Sequence, residues 1–277
     1  MLRITSLQHE PSWEIEYQST SPWQGPVDVK LPILRARTDR SLSGINAILI
    51  TADLQGREVP NASGEQRLLG QRLAEELVAL AECGEIPDLE SIGVILAGDL
   101  YTVPQLDKMG GTGDVRPVWR EFARMCAWVA GVAGNHDLFS GKASNPMSED
   151  FLDEKGIYFL DESVVELNGL RISGLSGIIG RPTKLWRRSE EQYIAALQRL
   201  LEWEPDILVL HDGPDVSERR LRGTIVIREA LESSTRTPLL VRGHAHWDVP
   251  LAELSNGIQV LNVDSRAVLL QQPGASE

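Results

Sequence analysis

The chain has 277 residues, of which 42% are hydrophobic and 24% are charged, an ordinary composition for a globular protein with a substantial core. The two cysteines lie far apart, so neither a disulfide framework nor a zinc ribbon is expected, and a reducing cytoplasm is the predicted setting. The net charge of -13 disfavours a general nucleic-acid binder, and we expect neither a signal peptide nor a membrane span.

The first part of the chain predicts a β-rich extension. Residues 1–44 contain turn signals and two alternating segments, 13–17 and 27–29, that favour edge strands. We expect this extension to pack on a main domain spanning residues 45–277 without forming a separate domain.

From residue 45 onward the apolar pattern alternates between strands and helices. Ser63 with Gln66, and Ser189 with Gln192, have the spacing of helix-capping boxes. Helices are predicted over about 68–84, 117–126 and 189–204. Strands are predicted over 48–52, 91–96, 128–133, 157–160, 164–167, 170–174, 207–210, 239–241, 259–263 and 267–270. This alternation predicts a layered α/β fold.

Polar residues with metal-binding side chains follow five of these strands directly. They are Asp53, Asp99, Asn135 with His136 and Asp137, His211, and His244 with His246. In open α/β sheets, ligands gather beyond the carboxyl ends of the strands. Carboxylate, amide and imidazole groups without a thiolate suit manganese, iron or zinc in a reactive site. The sequence therefore predicts a metal site at one rim of the sheet.

The ordered motifs resemble those of the calcineurin-like metallophosphoesterase superfamily over residues 48–246. They are Asp53-Leu54-Gln55, Gly98-Asp99, Gly134-Asn135-His136-Asp137, His211 and Gly243-His244-Ala245-His246. The resemblance implies a layered α-β-β-α sandwich whose strand-end loops hold two divalent metal ions. Manganese is the favoured ion, with iron and zinc as alternatives.

The resemblance also assigns a role to each residue of the motifs. The first ion would take Asp53, Gln55, Asp99 and His246. The second would take Asp99, Asn135, His211 and His244, so that Asp99 bridges the two ions. His136 would assist departure of the leaving group, oriented by Asp137.

The expected activity is hydrolysis of a phosphate ester by a metal-bound hydroxide. Paired cations lower the pKa of a bridging water and neutralise charge on the phosphoryl oxygens. A nucleotide or another small phosphodiester is slightly favoured as substrate, although these motifs do not separate monoesters from diesters. Neither the oligomeric state nor the role of the N-terminal extension can be predicted.

Gln55 departs from the family pattern, which usually has histidine at this position. A neutral amide oxygen is a weaker donor, so the affinity of the first site should fall or shift towards harder ions. This residue favours an alternative, a weakly active or inactive scaffold that keeps the fold.

One strongly basic segment, residues 181–188, suggests a substrate-binding loop. Its candidate phosphate-binding and base-stacking residues are Arg181, Lys184, Trp186, Arg187 and Arg188. The plainer interpretation is a solvated loop whose arginines pair with Glu190 and Glu191. A further alternative, a nuclease, would need this segment to outweigh the acidic surface.

Overall fold

The computed structural model describes residues 2–21, 25–60, 64, 66–108 and 110–274. Within them the chain is a mixed α/β protein in which strands outnumber helices. The strands are β1 (Ile4–Leu7), β2 (Trp13–Ser21), β3 (Gly25–Thr38), β4 (Ala47–Ala52), β5 (Arg57–Glu58), β6 (Ile92–Leu96), β7 (Gly113–Asp114), β8 (Trp128–Gly131), β9 (Asp137–Leu138), β10 (Ile157–Phe159), β11 (Ser163–Leu167), β12 (Leu170–Leu175), β13 (Ile178–Ile179), β14 (Arg187–Arg188), β15 (Ile207–Leu210), β16 (Leu239–Arg242), β17 (Leu251–Glu253), β18 (Gln259–Asn262) and β19 (Arg266–Gln271).

Five α-helices lie in this part of the chain: α1 (Leu69–Glu82), α2 (Arg116–Met125), α3 (Glu149–Leu152), α4 (Glu190–Glu202) and α5 (Ile225–Glu232). Three of them, α1, α2 and α4, correspond to the predicted helices. The capping box of α4 is confirmed, because Ser189 Oγ accepts from the Gln192 backbone N–H while Gln192 Oε1 accepts from that of Ser189. Ser63 of the other predicted box lies outside the described residues. None of the described helices is long and apolar enough to cross a membrane.

Most strands belong to two sheets. The larger has the order β10-β8-β6-β4-β19-β3-β2-β5, with β1 paired to β3, and the smaller has the order β11-β12-β15-β16-β18-β17. The ten strands predicted from residue 45 onward are all present. β3, expected at an edge, lies between β19 and β2, because its long run pairs with both neighbours.

Three hydrophobic clusters explain why the central strands are apolar throughout. The middle cluster joins the two sheets, with Ile48 and Ile50 of β4 and Ile207 and Val209 of β15 among its members. The alternate residues of β4 pack with α1 and α2, and those of β15 pack with α4 and α5. Both faces of each strand are therefore buried, which removes the usual alternation with polar residues. Each fully buried Leu or Ile contributes about 1.5–3 kcal/mol to stability.

Candidate metal centre

The polar residues of the predicted site lie together where the two sheets meet. Gln55 and Asp53 follow β4, Asp99 follows β6, Asn135 follows β8, His211 follows β15, and His244 and His246 follow β16. β4, β6 and β8 are parallel to one another, as are β15 and β16, so their carboxyl ends meet at common edges. Two hydrogen bonds join the sheets here. Asp53 Oδ2 accepts from the His244 backbone N–H at 2.9 Å, and His211 Nδ1 lies 2.8 Å from the Ala97 carbonyl.

Three of these residues have a strained backbone. Asp53, Asp99 and His244 have φ values of 52°, 54° and 66°, the left-handed region that side chains other than glycine rarely adopt. Each such conformation costs about 1–3 kcal/mol and persists only where the surrounding structure holds it. Seven other described residues share this conformation elsewhere, so it is the packing around these three loops that holds the site residues in place.

Two glycines allow the carboxylates to pack against neighbouring loops. A Cβ atom at Gly134 would lie 2.0 Å from Asp99 Oδ1, and one at Gly243 would lie 2.3 Å from Asp53 Oδ2. No ordinary side chain could occupy either position without displacing a carboxylate. The glycines of the two histidine-containing motifs are therefore required by the close approach of these carboxylates.

One group of donors is arranged to hold a cation. Asp99, His211 and His244 each bring a ligand atom within 4.8 Å of the others, and His211 Nε2 lies 3.5 Å from Asp99 Oδ2. His211 Nε2 and Asn135 Oδ1 are two of the eight buried side-chain atoms of the described residues that have no hydrogen-bond partner. Such atoms are costly unless something binds them. The residues present therefore fit a divalent metal ion.

The electrostatics of this cluster also favour a cation. Burial by itself would lower the pKa of His211, but the neighbouring carboxylate of Asp99, reinforced by Asp53, raises it to about 10. Burial, followed by repulsion from Asp264, raises the pKa of Asp53 well above its ordinary value. Burial and the proximity of His211 lower the pKa of His244 to about 4. The carboxylates thus create a negative field that protons partly relieve and that a metal ion would neutralise.

Two further predicted ligands, Gln55 and His246, already have side-chain partners. The amide Nε2 of Gln55 donates to Asp99 Oδ2 at 3.1 Å. The His246 side chain is 48% exposed, with Nδ1 lying 3.6 Å from an Asp264 carboxylate oxygen and Nε2 lying 3.3 Å from an Arg266 guanidinium nitrogen. Gln55 therefore touches the group through Asp99 but presents its amide nitrogen, and His246 is paired with Asp264 and Arg266.

The arrangement of Asp137 corrects its predicted role. Its carboxylate is fully buried and accepts three backbone hydrogen bonds, from Asp99 and Gly134 at 2.8 Å and from Leu100 at 2.9 Å. The ring of His136 lies instead beside Thr112, with 3.5 Å between Nδ1 and Oγ1. Asp137 therefore holds two metal-site loops together and does not orient His136. Buried backbone N–H groups need acceptors, and the Asp137 carboxylate provides them. The half-buried His136 ring can instead bond to water or to a substrate.

Two of the five residues proposed to bind substrate have structural roles. The Trp186 indole N–H donates to the Asp137 carbonyl at 2.7 Å, and its half-buried ring packs against Phe139 and Phe159. Arg188 Nη2 donates to both carboxylate oxygens of Asp161, at 2.8 and 2.9 Å. It also lies near Glu162, whereas the pairing with Glu190 and Glu191 suggested by the plainer interpretation is not observed among the described contacts.

The other three basic residues differ in exposure. Arg181 and Lys184 are exposed in a turn closed by the hydrogen bond from the Lys184 backbone N–H to the Arg181 carbonyl. Arg187 is half-buried on β14. Because Trp186 anchors this segment beside Asp137, all three remain candidates for contact with a substrate.

Two residues near the site were not predicted from the sequence. Asp264 and Arg266 are both buried and lie beside His246 in the loop after β18 and at the start of β19. β18 is parallel to β16, so its carboxyl end reaches the same edge. The rule applied to the other strands would have identified Asp264, but no local pattern indicates the contact between Arg266 and His246.

No protein-family model matches the chain, and no curated protein matches it either. One crystal structure aligns with a TM-score of 0.51 at 12% identity, covering 79% of this chain and 90% of that chain. Phosphopantetheinyl hydrolase (PptH) from Mycobacterium tuberculosis aligns with a TM-score of 0.45 at 15% identity, covering 80% and 90%. A hypothetical protein from Thermus thermophilus aligns at 0.43 and 16% identity, covering 82% and 75%. The first similarity concerns the fold alone, and the family expected from the motifs stays a prediction.

Proposed function

We propose that the protein is a metal-dependent phosphoesterase with the layered α-β-β-α architecture of the calcineurin-like superfamily. The observation that carries this proposal is the convergence of Asp99, His211 and His244 at the carboxyl ends of strands from two sheets. The buried, unpartnered atoms Asn135 Oδ1 and His211 Nε2 complete a donor set that needs a cation. Perturbed ionisable groups clustered in such a position are typical of catalytic sites.

The donors define what the centre can bind. Asp99, Asn135, His211 and His244 would hold the ion, and their mixture of oxygen and nitrogen atoms suits manganese, with iron and zinc as alternatives. A bound ion would supply Lewis-acid polarisation of a phosphoryl group and ready ionisation of water at neutral pH. The hydrogen bond from His211 Nδ1 to the Ala97 carbonyl fixes the ring so that Nε2 faces the centre.

His136 is the residue best placed to handle the leaving group. It follows Asn135, and its backbone N–H donates to Asp99 Oδ1 at 3.0 Å, which ties it to the donor set. Its Nδ1 faces the Thr112 hydroxyl, so Nε2 is the nitrogen left for a substrate. A half-buried imidazole can donate a proton to a departing alkoxide, assistance that contributes about 10²–10⁴-fold in rate.

The substrate we propose is a small phosphate ester. The net charge of -13 opposes binding of a long nucleic acid. Arg181, Lys184 and Arg187 are available for a phosphate, whereas the Trp186 indole N–H is already bonded to the Asp137 carbonyl. These residues could hold the phosphate of a monoester or of a diester, so the rates of hydrolysis of the two are compared.

The test is hydrolysis of an aryl phosphodiester and the matching monoester by protein that has been stripped of metal and then supplied with Mn²⁺. We expect metal-dependent turnover that is abolished in His211→Ala and reduced about 10²–10⁴-fold in His136→Ala. The matched control is His9→Ala, because His9 is an exposed histidine far along the chain from the motifs. Turnover that survives His211→Ala, or that falls equally in His9→Ala, would refute the proposal.

The contacts of Gln55 favour one alternative, a metal-binding scaffold without turnover. Its amide donates to Asp99 instead of offering a lone pair to a metal. This alternative predicts Mn²⁺ binding that depends on His211, with no hydrolysis across a broad panel of phosphate esters.

A further inference from the structure

We propose that this chain binds one metal ion tightly and that Arg266 takes the place of a second ion at His246. The tight ion would lie on Asp99, Asn135, His211 and His244. This inference rests on the proposed function only in assuming that the site binds metal. It departs from the two-ion arrangement that the family resemblance implies.

Both ring nitrogens of His246 already have partners. Nδ1 lies 3.3 Å from the Asp264 carbonyl and 3.6 Å from an Asp264 carboxylate oxygen, so it carries the ring proton. The lone pair is then on Nε2, which accepts from Arg266 Nη2 at 3.3 Å. The nitrogen that would bind a metal ion is therefore already occupied by a guanidinium.

Arg266 is held firmly in this position. The side chain is 6% exposed, and the same nitrogen, Nη2, donates to the Trp247 carbonyl at 2.5 Å. Burial lowers its pKa, which the Asp264 and Asp248 carboxylates oppose. Arginine stays charged in proteins, so a divalent ion at His246 would meet a fixed positive charge at close range.

The Gln55 side chain points its amide nitrogen, not its oxygen, at Asp99. Its amide nitrogen donates to Asp99 Oδ2, and the opposite orientation of the amide would place two acceptor oxygens against each other. The amide is also packed beneath Gly110, where a Cβ atom would lie 3.0–3.1 Å from its atoms. Gln55 therefore acts as a neutral hydrogen-bond donor to Asp99.

The two donor sets differ in what their atoms already bind. In the tight set, both Asp99 oxygens accept hydrogen bonds, but Asn135 Oδ1 and His211 Nε2 are buried without hydrogen-bond partners among the described residues. In the other set, Asp53 Oδ2 accepts from the His244 backbone, and the side-chain atoms of Gln55 and His246 have the partners described above. A second ion would have to displace Arg266 from His246 Nε2 and turn the Gln55 amide, whereas the first ion would satisfy two buried atoms that have no hydrogen-bond partner.

The experiment is a Mn²⁺ titration of the metal-stripped full chain by calorimetry, followed by electron paramagnetic resonance at saturation of the tight site. We expect one tight equivalent and the six-line spectrum of an isolated Mn²⁺ ion. The matched pair of variants is His211→Ala and His246→Ala. The first removes a ligand and should weaken the tight site by at least about 100-fold, and the second should leave its affinity within about threefold.

A variant designed to restore the second position tests the role of Arg266. The double substitution Gln55→His with Arg266→Leu should bind two tight equivalents and give an exchange-coupled spectrum. Circular dichroism and the melting temperature establish that this variant folds. If it does not, the comparison of wild type with His246→Ala still decides the question.

Two tight equivalents in the wild type, or equal loss of affinity in His211→Ala and His246→Ala, would overturn the one-ion inference. The outcome is separable from that of the proposed function. One tight ion with no hydrolysis of any phosphate ester would support the inference and refute the phosphoesterase. Two coupled ions with metal-dependent hydrolysis would refute the one-ion inference and support the phosphoesterase. The absence of tight Mn²⁺ binding would refute both proposals.

Discussion

Replacing Gly134 with alanine would put a methyl group where the Asp99 carboxylate lies. The new Cβ would stand 2.0 Å from Asp99 Oδ1 and 2.3 Å from the Asp99 backbone nitrogen. Non-bonded carbon contacts are favourable at about 3.5 Å, so the carboxylate must retreat by roughly 1.5 Å. Because the backbone of Asp99 is obstructed as well, rotation of its side chain cannot relieve the clash.

The size of this displacement sets the expected effect. Metal–ligand distances tolerate deviations of about 0.2 Å, several-fold less than the shift that Asp99 must make. We expect Mn²⁺ affinity to fall by at least about 100-fold, a loss of about 2.8 kcal/mol at 1.4 kcal/mol for each factor of ten. Overpacking should also lower the free energy of unfolding by about 1–3 kcal/mol.

A comparable clash away from the site provides the control. A Cβ atom at Gly70 in α1 would lie 2.4 Å from Val118 Cγ1, so Gly70→Ala should destabilise the protein while leaving Mn²⁺ affinity within about threefold of wild type. Calorimetric titration of the metal-stripped proteins and urea unfolding measure the two effects. If Gly134→Ala binds Mn²⁺ as tightly as the wild type, or if both variants lose affinity equally, close packing does not position Asp99.

Other predictions follow from the remaining contacts. Asp137→Asn should lower the free energy of unfolding by about 3 kcal/mol in urea, because an amide cannot accept all three backbone hydrogen bonds; a loss below about 0.5 kcal/mol would contradict this role. Arg188→Ala should lower the free energy of unfolding by about 2 kcal/mol, because it removes the ion pair with Asp161. It should change kcat/KM for a phosphate ester less than twofold, and a large loss of turnover would show that Arg188 contacts the substrate. Burial raises the pKa of Cys126 to about 12 while Cys83 is exposed, so a thiol reagent at pH 8 should label one cysteine in the folded protein and two after unfolding; rapid labelling of both would show that Cys126 is accessible.

Part of the fold and site followed from local patterns. The strands that bury both faces are continuous apolar runs, and each polar residue that follows one lies at the end of a real strand. The capping box at Ser189 was recognisable because its hydrogen bonds join residues only three positions apart. α5 was not predicted, since the segment 225–232 has only eight residues and buries only Ile227 and Leu231.

The sequence by itself determined which side chains reach the rim, because burial of the strands and the direction of the chain are local properties that its apolar pattern records. Only the tertiary structure decided what those side chains contact there. Trp186 meets Asp137 across 49 residues, Asp137 meets Asp99 across 38, and Arg266 meets His246 across 20. Hydrogen-bond partners are chosen by proximity and by unmet donors in the folded chain, and neither is recorded in residue spacing. For this reason the donor types were predictable. The sequence did not indicate that atoms of Asn135 and His211 would lack partners while Gln55 and His246 would have them.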